Sequence, residues 1–213
     1  MFKALLGWEK GYPRCQRFGD IYFSEDGVIE LDQMHSTGLL AYFNAVCEFR
    51  QLHPVLNCMP LRTNDPEIIS VKDALNDLKE NLQQQYKEIN NIPFTVEVSR
   101  GIMNLPNVLY ACILPPGQLV RNGIYTAICF DILGRGALVG CVESKVTSKG
   151  LKTVQRKKDS GLLSIDVDGG SERTKYNNVF VNPEEFYYPM HDIARFNQHI
   201  KESMKLSLSF LEV

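Results

Sequence analysis

NGIYTAICFDILGRGALVGCVESKVTSKGLKTVQRKK, residues 122–158, decides how this chain reads. Two apolar runs, 123–133 and 137–146, carry the β-branched and aromatic residues that suit a pleated surface. Gly134-Arg135-Gly136 between them is a turn signal, so the two runs read as a central pair of strands. From Lys145 to Lys158 there are then six basic residues and no acidic one.

Outward from this pair the strand character continues. Residues 93–100 alternate Phe94, Val96 and Val98 against Thr95, Glu97 and Ser99, as a half-buried strand does. Residues 107–114 form a more continuous apolar run, which predicts a strand covered on both faces. Pro115-Pro116-Gly117 turns the chain towards the central pair, and 162–169 and 176–183 read as two further strands.

Beyond the strands, the period changes to that of helices. Leu39, Leu40, Phe43, Val46 and Cys47 predict a helix capped by Ser36 or Thr37 and ended by His53-Pro54. Its apolar arc is wide, which suits a core or a subunit interface. Val71, Leu75, Leu78, Leu82, Tyr86 and Ile89 predict a second helix from Pro66 or Ser70 to about Asn90. Asp192 is expected to cap a third, with Ile193, Phe196, Ile200 and Met204 on one face and the alternating tail 205–213 leaving as an edge strand. Residues 17–34 read as a β-hairpin around Asp26-Gly27, and Phe2, Leu5, Leu6 and Trp8 as one amphipathic turn.

The expected fold class is therefore α+β. A mainly antiparallel central sheet, about residues 93–182, packs against N-terminal and C-terminal helices in one domain spanning 1–213. Leu40, Phe43, Val46, Leu78, Leu82, Ile128 and Val139 are its expected core. A hydrophobic fraction of 44% with 23% charged residues is that of an ordinary folded chain. Net charge is −2, so an anionic partner has to be met by a local patch. No apolar run approaches the roughly 18 residues that span a bilayer, and the first one is too short for a secretory signal. Six cysteines without metal-like spacing suit a reduced chain, so an intracellular, cytoplasmic protein is expected.

Two constellations bear on function. The first is the basic run, in which Lys149, Lys152, Arg156, Lys157 and Lys158 supply sequence-independent attraction for nucleic-acid phosphates or anionic lipid. It also reads as a solvated loop balanced by Asp159, Asp166 and Asp168. With the apolar helices available for self-association as a homo-oligomer, it suggests a non-enzymatic structural protein. Matrix-like and nucleoprotein-like viral assembly components are of that class.

The second is Asp131, Glu143 and Lys145, which form the pattern D-x11-E-x-K. It resembles the active-site signature of the PD-(D/E)xK nuclease superfamily, with Phe130 where the family often has proline. The resemblance implies a Mg²⁺ ion held by Asp131 and Glu143 and activating water, with Lys145 assisting. With a turn at 134–136, two residues separate it from Asp131 and six from Glu143. A shared metal then requires a bulge or a turn elsewhere. Three lesser features read as structural. Asp166-Val167-Asp168-Gly169-Gly170 is a turn, with Asn177 where a calcium loop needs glutamate. His191 and His199 are too far apart for a zinc pair, and His35 and His53 lack a catalytic partner.

Overall fold

The computed structural model describes residues 16–18, 21–24, 27–29, 31–55, 61–62, 64–99, 101, 104–144, 150–156, 163–170 and 176–211, with side chains from Gly38 onward, Glu67 excepted. The amphipathic turn expected at 2–8 lies outside them. The chain forms two compact units, Met1–Thr37 and Gly38–Val213.

In the first unit β1 (Gln16–Phe18), β2 (Ile21–Ser24) and β3 (Gly27–Ile29) form an antiparallel meander. The expected hairpin is its second half, with Ser24 registered opposite Gly27. Helix α1 (Leu31–Leu52) begins five residues before the expected cap, so Leu31–Met34 is helical and not strand. Those four residues contain no β-branched side chain, and an aspartate in the first turn suits the positive end of a helix.

The second unit is built on a five-stranded antiparallel sheet of order β10-β9-β8-β7-β6. Its strands are β6 (Thr95–Val98), β7 (Tyr110–Leu114), β8 (Ile124–Phe130), β9 (Gly136–Glu143) and β10 (Glu184–Tyr187). The central pair is as expected, with Ile124 opposite Glu143 and Phe130 opposite Ala137. Every residue of β8 and β9 is buried, because both faces of the sheet are covered. On β6 the alternation holds: Val96 and Val98 are buried and Thr95 and Glu97 exposed. Ser99 differs, being buried with its hydroxyl accepting from the Tyr110 N–H.

Helices cover one face. α1, α2 (Ile69–Gln85) and α3 (Ile193–Ser209) pack on Ala111, Ile113, Ile128, Phe130, Ala137 and Val139. A chain of rings ties the layers together. Phe43 of α1 lies 5.3 Å from Phe130 and 5.6 Å from Phe196, which is 5.0 Å from Phe186 of β10. The wide apolar arc of α1 is thus used inside the unit, with Leu39, Phe43, Val46, Cys47 and Phe49 buried and Leu40 only partly so.

Two helix ends differ from expectation. A 3-10 turn (Pro66–Ile68) leads into α2, which stops at Gln85 and not near Asn90. Asn90 and Asn91 take φ of 53° and 64° and make the two-residue turn of a small hairpin, β4 (Glu88–Ile89) with β5 (Ile92–Pro93). Asparagine tolerates this left-handed region better than most residues, which ends the helix early. The tail 205–209 stays in α3 and is not an edge strand. Its alternation coincides with a helical stripe, and Met204, Ser207 and Leu208 are buried on it. Asp192 caps α3 as expected, accepting from the Arg195 N–H at 2.9 Å.

Among the described residues the other face has no helix. Of the strands expected at 162–169 and 176–183, the described residues 163–169 and 176–183 are instead irregular chain, joined to the sheet among the described residues by an isolated bridge, Val142 to Phe180. They bury Ile165, Val167, Val179 and Phe180 on Cys112, Leu114, Tyr125, Ala127, Cys129 and Leu138. Between the apolar residues, Asp166 and Asp168 each accept from the backbone N–H two residues on, a local bond that competes with a ladder. The fifth strand falls later, at β10.

Candidate polyanion-contact segment

Asp131 is fully buried at the turn between β8 and β9. Oδ1 accepts from Arg135 Nη2 at 2.7 Å and from the Asp166 N–H at 2.6 Å. Oδ2 accepts from the Leu133 and Arg135 N–H groups at 2.9 and 3.0 Å, and from Arg135 Nε at 3.0 Å. Five donors fill this carboxylate, which ties the turn to the irregular layer. That bonding also holds the Arg135 guanidinium above its ordinary pKa. Arg135 Nη1 donates to the Leu163 carbonyl at 3.0 Å, a second tie to the same layer.

Both glycines of the Gly134-Arg135-Gly136 turn are required by close approach. A β-carbon on Gly134, where φ is +76°, would lie 2.3 Å from the Cys47 carbonyl oxygen and 2.6 Å from the Gln51 nitrogen. One on Gly136 would lie 2.0 Å from the Phe186 carbonyl oxygen. The turn therefore wedges between α1 and β10.

Glu143 stands at the opposite end of the strand pair, registered against Ile124, whereas Asp131 follows Phe130. Seven residues of strand from 124 to 131 span roughly 23 Å. Two oxygens that share a Mg²⁺ ion each lie about 2.1 Å from it. Asp131 and Glu143 therefore cannot hold one metal between them. No bulge intervenes, since the register from Ile124–Glu143 to Phe130–Ala137 is unbroken. Lys145 lies outside the described residues. Among those residues no group of three His, Cys, Asp or Glu is placed to hold a metal ion.

Glu143 is buried and its Oε2 accepts from the Leu151 N–H at 2.9 Å, so it fixes the basic run at Leu151. Two further bonds continue the attachment. The Val154 N–H donates to the Phe180 carbonyl at 2.8 Å, and the Arg156 N–H to Asn178 Oδ1 at 2.9 Å. Residues 151–156 thus run along the rim of the irregular layer, with Lys152 and Val154 exposed.

Arg156 departs from the rest of the run. Its side chain is 9% exposed and pairs with Glu185. It also donates to Asn177 Oδ1 and to the Ile165 carbonyl, both at 2.8 Å. A guanidinium so fully used is a staple holding the segment to β10 and the layer beneath it. Asp166 and Asn177 complete the network, with Asp166 Oδ1 accepting from Asn177 Nδ2 at 2.8 Å and from the Asp168 N–H at 3.0 Å. Lys149, Lys157 and Lys158 lie outside the described residues.

No protein-family model matches the chain, and no curated protein is detectably similar to it in sequence.

The structure adds Arg121, which nothing in the sequence connects to the basic run. Leu119 and Asn122 exchange backbone hydrogen bonds of 3.1 and 2.9 Å across a tight turn that exposes Arg121. Ser144 joins that turn to the end of β9. Its N–H donates to the Gly123 carbonyl at 2.9 Å and its hydroxyl to the Arg121 carbonyl. Only strand pairing brings these residues together, 23 positions apart. His191 is exposed, while buried His199 has Nε2 3.1 Å from the Val139 carbonyl and Nδ1 3.0 Å from Glu184. Among the described residues no helix is long and apolar enough to cross a membrane.

Proposed function

We propose that this chain is a non-enzymatic binding protein, matrix-like or nucleoprotein-like in its physical role. It meets clustered phosphates, of a nucleic acid or of an anionic lipid surface, through the basic segment. The observation that carries the reading is the tethering of residues 151–156 at Glu143, Phe180 and Asn178, with Lys152 outward in a run that contains no acidic residue. Tethering lowers the ordering cost of binding, and each neutralised phosphate releases counterions.

The test is a salt titration of binding to RNA, to DNA and to phosphatidylserine vesicles. The natural protein is compared with the fourfold variant Lys149→Gln, Lys152→Gln, Lys157→Gln and Lys158→Gln. Arg156 is left in place because it is a staple. Steep loss of binding with salt, and a shallower slope in the variant, is expected for at least one ligand. Identical curves, or no binding at low salt, would sink the proposal. So would magnesium-dependent cleavage of either nucleic acid.

A further inference from the structure

We infer that the anionic partner is a lipid bilayer surface, and that the turn at 119–122 contributes an apolar anchor and a further cation to the contact. The inference rests on the anionic-partner reading above and narrows it. Two of the large apolar side chains exposed on the second unit are Leu119, 48% exposed, and Val154, 43% exposed. Arg121 and Lys152 are exposed beside them in the chain.

These four residues share one end of the sheet. The turn bonds to Ser144, Glu143 next to it bonds to Leu151, and Val154 bonds to Phe180, which bridges to Val142. The turn is stiff: the Leu119–Asn122 bonds close it, and the Tyr125 hydroxyl donates to the Val120 carbonyl at 2.6 Å. A bilayer interface rewards this combination, because apolar side chains enter the acyl boundary while cations stay with the headgroups. A nucleic-acid duplex, whose outer surface is phosphate, would take the cations but leave Leu119 and Val154 without a role.

Three proteins are compared: the natural chain, Leu119→Ser and Arg121→Gln. Each is titrated with phosphatidylcholine vesicles, with the same vesicles containing phosphatidylserine, and with single-stranded RNA. Leu119 and Arg121 are exposed, so thermal midpoints should stay within a degree or two of each other, roughly the shift of a neutral surface change. Binding is expected only where phosphatidylserine is present. Leu119→Ser should weaken it about tenfold, and Arg121→Gln about fivefold. Leu119→Ser should leave any RNA binding unchanged, and raised salt should weaken Arg121→Gln less than the natural chain.

RNA binding without vesicle binding would overturn this inference and leave the broader reading standing, whereas binding to neither would remove both. Vesicle binding that Leu119→Ser does not alter would overturn the anchor. Equal loss for vesicles and RNA in Leu119→Ser would do so too, because it would mark a damaged fold.

Discussion

The two faces of the five-stranded sheet bury similar apolar side chains, yet they are covered in opposite ways. On the face carrying Ile128 and Phe130 the cover is α1, α2 and α3, which satisfy their own backbone groups and need only apolar contact. On the face carrying Tyr125 and Cys129 the cover is irregular chain, whose backbone groups pair with one another only in part. Asp131, Arg135, Arg156, Asp166 and Asn177 supply the missing partners from side chains. A layer without regular structure thus requires buried polar residues, and on a sequence these look like a site.

The largest expected effect lies where the two faces meet. Gly134→Ala puts a methyl group against the α1 backbone at a left-handed position, so a loss on the order of 5 kcal/mol or more is expected. Chemical denaturation measures it. A variant as stable as the natural protein would mean that the turn does not press on α1.

Next come two substitutions of similar cost and different reach. Phe43→Ala and Asp131→Ala should each lose about 3–4 kcal/mol, the first by leaving a cavity and the second by stranding Arg135 and the Asp166 N–H. Amide hydrogen exchange separates them. Asp131→Ala should raise exchange most within 163–168, whereas Phe43→Ala should raise it in α1 and α3. The same exchange pattern in both variants would dissolve the distinction between the faces.

A pH series probes the thiols beneath the irregular layer. Burial pushes Cys129 up to about 12 from an ordinary value of 9.0, and raises Cys112 well above it. The folded state keeps these protons while the unfolded chain gives them up. The stability they protect is whole below pH 9 and is lost as pH climbs towards 12. Each further pH unit above 9 should lower stability for each thiol that stays protonated in the folded state. Thermal midpoints should fall above pH 9, and less steeply in Cys129→Ala. Parallel declines would show that the thiol is not protected.

The smallest effect should come from Thr126, on the helical side of the sheet, whose hydroxyl is buried without a hydrogen-bond partner among the described residues. Thr126→Val should be neutral or stabilising by less than about 1 kcal/mol. A clear destabilisation, read from the denaturation midpoint, would reveal a bond that the helical face does make.

The edge of the sheet gives the same lesson in miniature. Gln83 of α2 donates to the Phe94 carbonyl at 2.9 Å and accepts from the Val96 N–H at 2.8 Å, standing in for a neighbouring strand on β6. In the sequence it is one letter of a polar run on a wet helix face.

By itself the sequence determined the α+β class, the central pair with its turn at 134–136, the doubly covered strand expected at 107–114 and found at 110–114, and most of the core. These follow from apolar period, which is local and which the covering layers leave intact. Tertiary structure alone decided where α1 begins and where α2 and α3 stop, because left-handed asparagines and helix-facing serines become visible only once the neighbours are placed. It also decided what the charged residues do. Asp131 and Glu143 sit twelve positions apart and read as partners, but an unbroken antiparallel register carries them to opposite ends of the strands. Arg156 reads as one cation among six, and Arg121 as an unrelated turn residue. Pairing across the sheet turns the first inward to Glu185 and brings the second beside the basic run. Charge carries no period, so its meaning depends on the partner that folding supplies.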